Sequence, residues 1–220
     1  MSTTPSVSRK SIKSAATTSP WTAADKRAEQ RELKRQAVLS TAAQLFNERG
    51  FQATSLDDIA ARLNVSKPTL YYYVKNKDEI LIECVRSGLQ TMLEGIEQTR
   101  LAGGKAIDQL ITCMRIYTRI VTQDFGMCVI RISDTELPAE RRAELRQLKS
   151  GIDQAFRRLI KACVKEKAIA PCDPKITAFM IAGALCWVGQ WYQPGGTLTP
   201  EKIADAYIHT FMQGLLGQRT

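Results

Sequence analysis

From Thr22 onward apolar residues recur every three to four positions, polar residues able to cap a helix precede each run, and no stretch alternates with a strand's period of two. The pattern predicts an all-α chain of about nine helices. The first runs from about Ala24 to Arg49, with Leu33, Ala37, Leu39, Ala43, Leu45 and Phe46 recurring on one face and Gly50 as its stop. A short helix follows through Asn64, with Ser55 as cap and Asp58 at the capping-box position. Ser66 caps another short helix, in which Pro68 is tolerated because first-turn amides lack intrahelical partners. Asn76 and Glu79 repeat the box and open a long helix to about Arg100.

After Gly103-Gly104 the period resumes from Ile107 to Val121, then in a short segment from Phe125 to Ile132, and Pro138 opens a long helix to about Lys167. Asp173-Pro174 and Thr199-Pro200-Glu201 start two more, ending near Tyr192 and Leu216. The expected division is a basic disordered tail (1–24), a three-helix helix-turn-helix domain (25–80) and a helical bundle (81–220). The tail holds 11 Ser or Thr with Arg9, Lys10 and Lys13 and no acid, so a basic arm lying along DNA is an alternative to an idle tail.

Residues 55–74 place two short helices back to back around a tight turn at Leu63-Asn64-Val65. Leu56, Ile59, Ala60, Leu63, Val65, Leu70 and Val74 close a small core, which leaves Lys67, Pro68, Thr69, Tyr71, Tyr72 and Tyr73 for a partner. Three consecutive tyrosines cannot all face outward on a helix, so Tyr71 or Tyr73 packs in part against the core. The amino end of the second helix can enter a major groove, Lys67 offering a donor to guanine and Thr69 a hydroxyl or methyl, while tyrosine hydroxyls, Lys75 and Lys77 meet phosphates.

Charge agrees. The 220 residues carry a net +9, and between Asp58 and Asp78 the chain has Arg62, Lys67, Lys75 and Lys77 and no acid. The longest apolar run, Phe179 to Gly189, is too short to span a bilayer, which leaves DNA over a membrane as the anionic partner and a cytoplasmic setting as the expectation. Six scattered cysteines and a single histidine, His209, give no zinc-ligand spacing, no Cys-His pairing and no metal or cofactor site. The cysteines read as core residues, with one redox sensor as the alternative. Without GxSxG or a phosphate-cradling glycine loop, an enzyme lacks its usual parts and no catalytic residue is expected.

Residues Gln36 to about Leu81, which include AVLSTAAQLFNERGFQATSLDDIAARLNVSKPTLYYYVKNKDEIL, resemble the tetracycline-repressor (TetR) family. The resemblance implies a homodimeric repressor on a palindromic double-stranded operator, with an activator as the alternative. It makes Thr54 and Ser55 phosphate contacts, Lys67, Pro68, Thr69 and Tyr71 the base-reading group, and Tyr72, Tyr73 and Lys77 a backbone clamp. Asp57 stands where the tetracycline repressor has a basic reader. The resemblance also implies a bundle that encloses an effector pocket and dimerises through its last two helices. Ile176, Phe179, Met180, Gly183, Ala184, Trp187 and Trp191 fit that face on one helix, and Ile203, Tyr207, Phe211 and Leu215 on the other.

Pocket candidates are Met92, Met114, Tyr117, Val121, Phe125, Met127, Ile130 and Trp187, together with Ile96 and Leu110, against the plainer reading of such a stripe as core. The tail WYQPGGTLTPEKIADAYIHTFMQGL is similar to a subgroup whose effectors are often CoA thioesters, which implies an acyl-CoA, with drug-like or other hydrophobic ligands as the alternative. Arg115, Arg119, Arg131, Arg141, Arg142 and Arg146 are the candidates for the anionic CoA moiety.

Overall fold

The computed structural model describes residues 20–213, with side chains from residue 26 onward except that of Asp134. Nine α-helices and no strand lie among the described residues, in the order α1 (Pro20–Arg49), α2 (Leu56–Arg62), α3 (Lys67–Tyr71), α4 (Lys77–Ala102), α5 (Ala106–Val121), α6 (Asp124–Arg131), α7 (Ala139–Lys165), α8 (Pro174–Trp191) and α9 (Pro200–Gln213). The all-α expectation holds. α1 begins four residues before the expected start, at a proline, whose fixed φ suits a first helical position. Most of the expected tail, residues 1–19, and Leu215 lie outside the described residues.

The helix boundaries follow local chemistry. Ser55 and Asp58 complete a capping box: the Ser55 hydroxyl accepts the Asp58 N–H at 3.1 Å and the Asp58 carboxylate accepts the Ser55 N–H at 2.8 Å. At the other end of α2, Asn64 adopts φ 54°, and the N–H groups of Asn64 and Val65 reach back to the carbonyls of Ala61 and Ala60. This Schellman closure with asparagine at the left-handed position makes the tight turn into α3. Ser66 and Asn76 then cap α3 and α4 as their spacing predicts.

A continuous core joins the two halves. α1 buries Val38, Leu39, Ala42, Ala43, Leu45 and Phe46 against Ile59, Leu70 and Val74 on one side and the start of α4 on the other. α4 then runs from that small core into the bundle of α5 to α9, where Leu110, Met114, Phe156, Ile160 and Leu185 are buried. Two close approaches set the bundle: a Cβ on Gly88 of α4 would lie 2.8 Å from the Phe125 carbonyl oxygen, and one on Gly126 of α6 only 1.9 Å from that of Ile120. No helix among the described residues is long and apolar enough to cross a membrane.

Candidate nucleic-acid interface and effector cavity

The α2–α3 unit is held against α1 by Leu70, fully buried, and by the Arg62–Glu48 ion pair at 2.9 Å, which keeps the Glu48 carboxyl below its usual range. This leaves the outer face of α3 open. Lys67, Pro68, Thr69, Tyr71 and Tyr72 are exposed, and Lys75 beyond them likewise. Tyr72 shows 65% of its surface and Tyr71 48%, whereas Tyr73 is half-buried, packing on the core and edge-on to Tyr72 at 5.1 Å. Of the two tyrosines that could turn inward, Tyr73 does.

Three of the expected contacts are differently engaged. Thr54 is 1% exposed, and its hydroxyl donates to the carbonyls of Gly50 at 2.9 Å and Leu45 at 3.3 Å. It closes the α1–α2 corner and faces away from any phosphate. Lys77 sends its ammonium back to the carbonyls of Phe51 at 2.9 Å and Thr54 at 3.0 Å, over the Phe51 ring at 4.3 Å. The cation adds a bond to each of these carbonyls at the corner, so Lys77 latches α4 to the α1–α2 connection. Lys67 pairs with Asp57 at 2.9 Å, and the carboxylate raises its pKa. The acid that stands in place of a basic reader on α2 therefore holds the candidate reader of α3, and the pair must open before Lys67 meets a base. Ser55 remains exposed at the start of α2, engaged in its own cap.

In the bundle, α4 to α8 line a half-open cavity of about 450 Å³ with apolar walls from Leu89, Met92, Val121, Ile130, Ile152 and Phe156. Of the sequence candidates Met92, Tyr117, Val121, Ile130 and Trp187 line it. Met114 is fully buried core, Phe125 packs against α4, Met127 faces a groove beside Phe46 and Asn47 of α1, Leu110 is core and Ile96 lies on a separate depression. The polar groups missed by the sequence reading are Lys149 and Asp153 of α7 and Cys186 and Gln190 of α8. The signal for Lys149 and Asp153 was their spacing around Ile152 and Phe156, one helical stripe of α7. Tyr117 places its hydroxyl 2.8 Å from the Cys186 sulfur, and burial drives the phenol's pKa well up, so it stays neutral and hydrogen-bonding. Asp153 is bound at both oxygens by Arg157, at 3.0 and 2.6 Å.

None of the six arginines suggested for a CoA moiety lines this cavity. Arg115 pairs with Asp205 and Arg141 with Glu144, while Arg142 donates to the carbonyls of Leu137 and Thr135. Arg131 ties the ends of three helices, donating to the carbonyls of Gly189 at 2.8 Å, Tyr192 at 3.1 Å and Asn47 at 3.3 Å. The helix that carries it, α6, lines the cavity with Gly126, Val129 and Ile130 and is bonded to α1 on its other side. There Gln44 donates to the Asp124 carboxylate at 3.0 Å and Asn47 to the Asp124 carbonyl at 2.9 Å.

On α8 the outward face carries Ile176, Phe179, Met180, Gly183, Trp187 and Trp191, all exposed, with Ala184 half-buried beside them. Tyr207 and Phe211 of α9 are half-buried, but Ile203 points into the protomer's own core and leaves the expected stripe. Four cysteines are buried, burial pushing Cys113 up to about 11, while Cys186 is half-buried and Cys172 exposed.

Residues 38–84 match the family model described as bacterial regulatory proteins, tetR family, and residues 103–215 match the tetracyclin repressor-like C-terminal domain. Among curated relatives, the HTH-type transcriptional repressor KstR2 of Rhodococcus jostii is 26% identical over 187 residues, 83% of this chain and 91% of its own. Among solved structures, the TetR-family regulator PfmR of Thermus thermophilus superposes with a TM-score of 0.74 at 26% identity, covering 81% of this chain and 98% of that one. AibR in complex with isovaleryl coenzyme A and operator DNA superposes with a TM-score of 0.71 at 27% identity, covering 80% and 96%.

Proposed function

Since the chain belongs to the TetR family of transcriptional regulators, we propose that it is a repressor which binds a palindromic operator as a homodimer and leaves it when a hydrophobic effector, an acyl-CoA, fills the α4–α8 cavity. The observation that carries this reading is the position of α6, one side of which walls the cavity while the other is hydrogen-bonded to the helix that supports α3. An effector that prefers one placement of α6 shifts the spacing of paired recognition helices, which must meet half-sites ~34–36 Å apart. The coupling required is of the usual size, about 1–3 kcal/mol.

The roles follow the geometry. Lys67, Pro68, Thr69 and Tyr71 read base edges, and Ser55, Tyr72 and Lys75 hold phosphates. The outward faces of α8 and α9 pair across the two-fold, because an apolar patch holding Phe179, Met180 and Trp187 marks an interaction surface. The division between the two functional domains falls inside α4, which takes part in both cores. The acyl portion occupies the apolar cavity near Tyr117, with Lys149 as the basic residue on its wall. Asp153 is already neutralised by Arg157, which disfavours a drug-like cation. The likeness to the isovaleryl-CoA complex supports the thioester.

Binding of the full chain to a duplex enriched from a random library, and to its scrambled version, tests the DNA half. Lys67→Ala or Thr69→Ala should cut the discrimination between the two roughly tenfold. Unchanged discrimination in both would overturn the assignment. Thermal stabilisation by acyl-CoAs, free acids and organic cations tests the effector half, a response to cations alone being the result that sinks the thioester.

A further inference from the structure

α1 continues well beyond the core it serves. Every described side chain from Lys26 to Ala37 is exposed except Arg35, which is half-buried, and the first buried residue is Val38. A helical stretch so exposed has little packing to stabilise it, and isolated helices of such length are marginal. Its charge points to what would cover it. Arg27, Arg31 and Lys34 fall at i, i+4 and i+7, a single stripe, and none forms an ion pair among the described residues. The carboxylate on the neighbouring stripe, Glu32, is taken by Gln36 at 2.8 Å and by Arg35, which also reaches Glu83 at 3.2 Å.

The stripe is tied to the recognition helix. The Arg31 guanidinium sits over the ring of Tyr72, 5.1 Å from its centroid. Between them runs a groove of about 550 Å³ along which Arg31, Tyr71, Tyr72 and Lys75 are lining residues. Glu79, at its floor, is occupied by the Lys75 backbone N–H at 2.7 Å. Two cations and two tyrosines thus line one groove beside the end of α3, in which Glu32 and Glu79 already have hydrogen-bond partners.

We infer that the exposed extension of α1, through Arg27, Arg31 and Lys34, together with Lys75 and Tyr72, forms a phosphate-binding cleft that takes the DNA backbone on the flank of each half-site. Arg31 is pre-oriented by the Tyr72 ring, so a planar donor stands ready for a phosphate oxygen at little entropic cost. The contact carries no base information, and it lengthens the footprint beyond the base pairs that α3 reads. This inference rests on the reading of α3 as the DNA-facing helix.

The test is the salt dependence of binding by the full chain to the duplex enriched from a random library and to its scrambled version. Arg27→Gln with Arg31→Gln should lower the slope of log K against log salt by about 1.8 per protomer on both duplexes, leaving their affinity ratio unchanged. Arg27→Lys with Arg31→Lys should restore the slope, because charge is what the phosphates need. An unchanged slope in the glutamine variant overturns the cleft, and so does a changed affinity ratio, which would make α1 a base reader. Failure of the underlying reading looks different: the wild-type chain would then enrich no duplex at all.

Discussion

The helix-turn-helix half and the bundle half place their candidate residues in opposite ways. In the first, cap, turn and partner-facing groups share one uninterrupted stretch from Ser55 to Lys75. In the second, the cavity is walled by five helices, from Gly88 of α4 to Gln190 of α8. The caps and the turn of the first stretch are set by bonds between residues two to five apart, while Leu70 and the Arg62–Glu48 pair seat the finished unit on α1. The cavity exists because close approaches at Gly88 and Gly126 seat α6 tightly against α4 and α5 while Ala178, Ala182 and Gly183 leave space on α8. A local motif survives distant change, whereas a cavity depends on every wall.

The sharpest test of that contrast is Gly126→Ala. Its Cβ would stand 1.9 Å from a backbone oxygen, which no side-chain motion relieves. Urea unfolding followed by circular dichroism should show a loss of about 3 kcal/mol or more. An unshifted midpoint would mean that the α5–α6 approach does not set the bundle.

Lys77→Met probes the place where the first half does rely on a distant partner, since Lys77 bonds carbonyls 26 and 23 positions away. Stability should fall by about 1–2 kcal/mol while the salt slope of DNA binding stays as in the wild type. A fall in slope with stability intact would return Lys77 to the phosphate role its position in the motif implies.

The smallest effect concerns the cap of α8. Asp173 accepts the N–H groups of Ile176 and Lys175, which hold its carboxyl below the usual range. The folded pKa is the lower one, so the unfolded chain binds more protons: the stabilisation is complete above ~pH 4 and is lost as pH falls through the folded value. Asp173→Asn retains a capping oxygen but does not titrate, and should flatten the acid limb of a stability-pH curve slightly. An unaltered limb would remove Asp173 from the acid response.

Local signals and tertiary outcomes separate cleanly along the chain. The nine helices were legible because several advertise their ends, as with Ser66 before Pro68 or Asp173 before Pro174, and because amphipathic spacing, a property of the sequence itself, marks those such as α5 and α6 that lack a side-chain cap. The open face of α3 and the apolar outer face of α8 were equally legible, since a period of 3.6 assigns faces before any partner is known. Cavity membership was not: Met92 and Met114 are both buried on neighbouring helices, yet one borders the cavity and the other is filled around. That difference lies in the volumes packed beside them.

The amino-acid sequence by itself determined the helices, the helix-turn-helix with the exposed face of α3, and the family. Only the tertiary structure decided that Thr54 turns inward, that Lys77 latches a corner, that Asp57 holds Lys67 and that α6 joins the cavity to α1. Each of these depends on which unsatisfied carbonyl, carboxylate or void a distant helix brings within reach, and hydrogen bonds of about 3 Å are too short-ranged for spacing along the chain to foretell them.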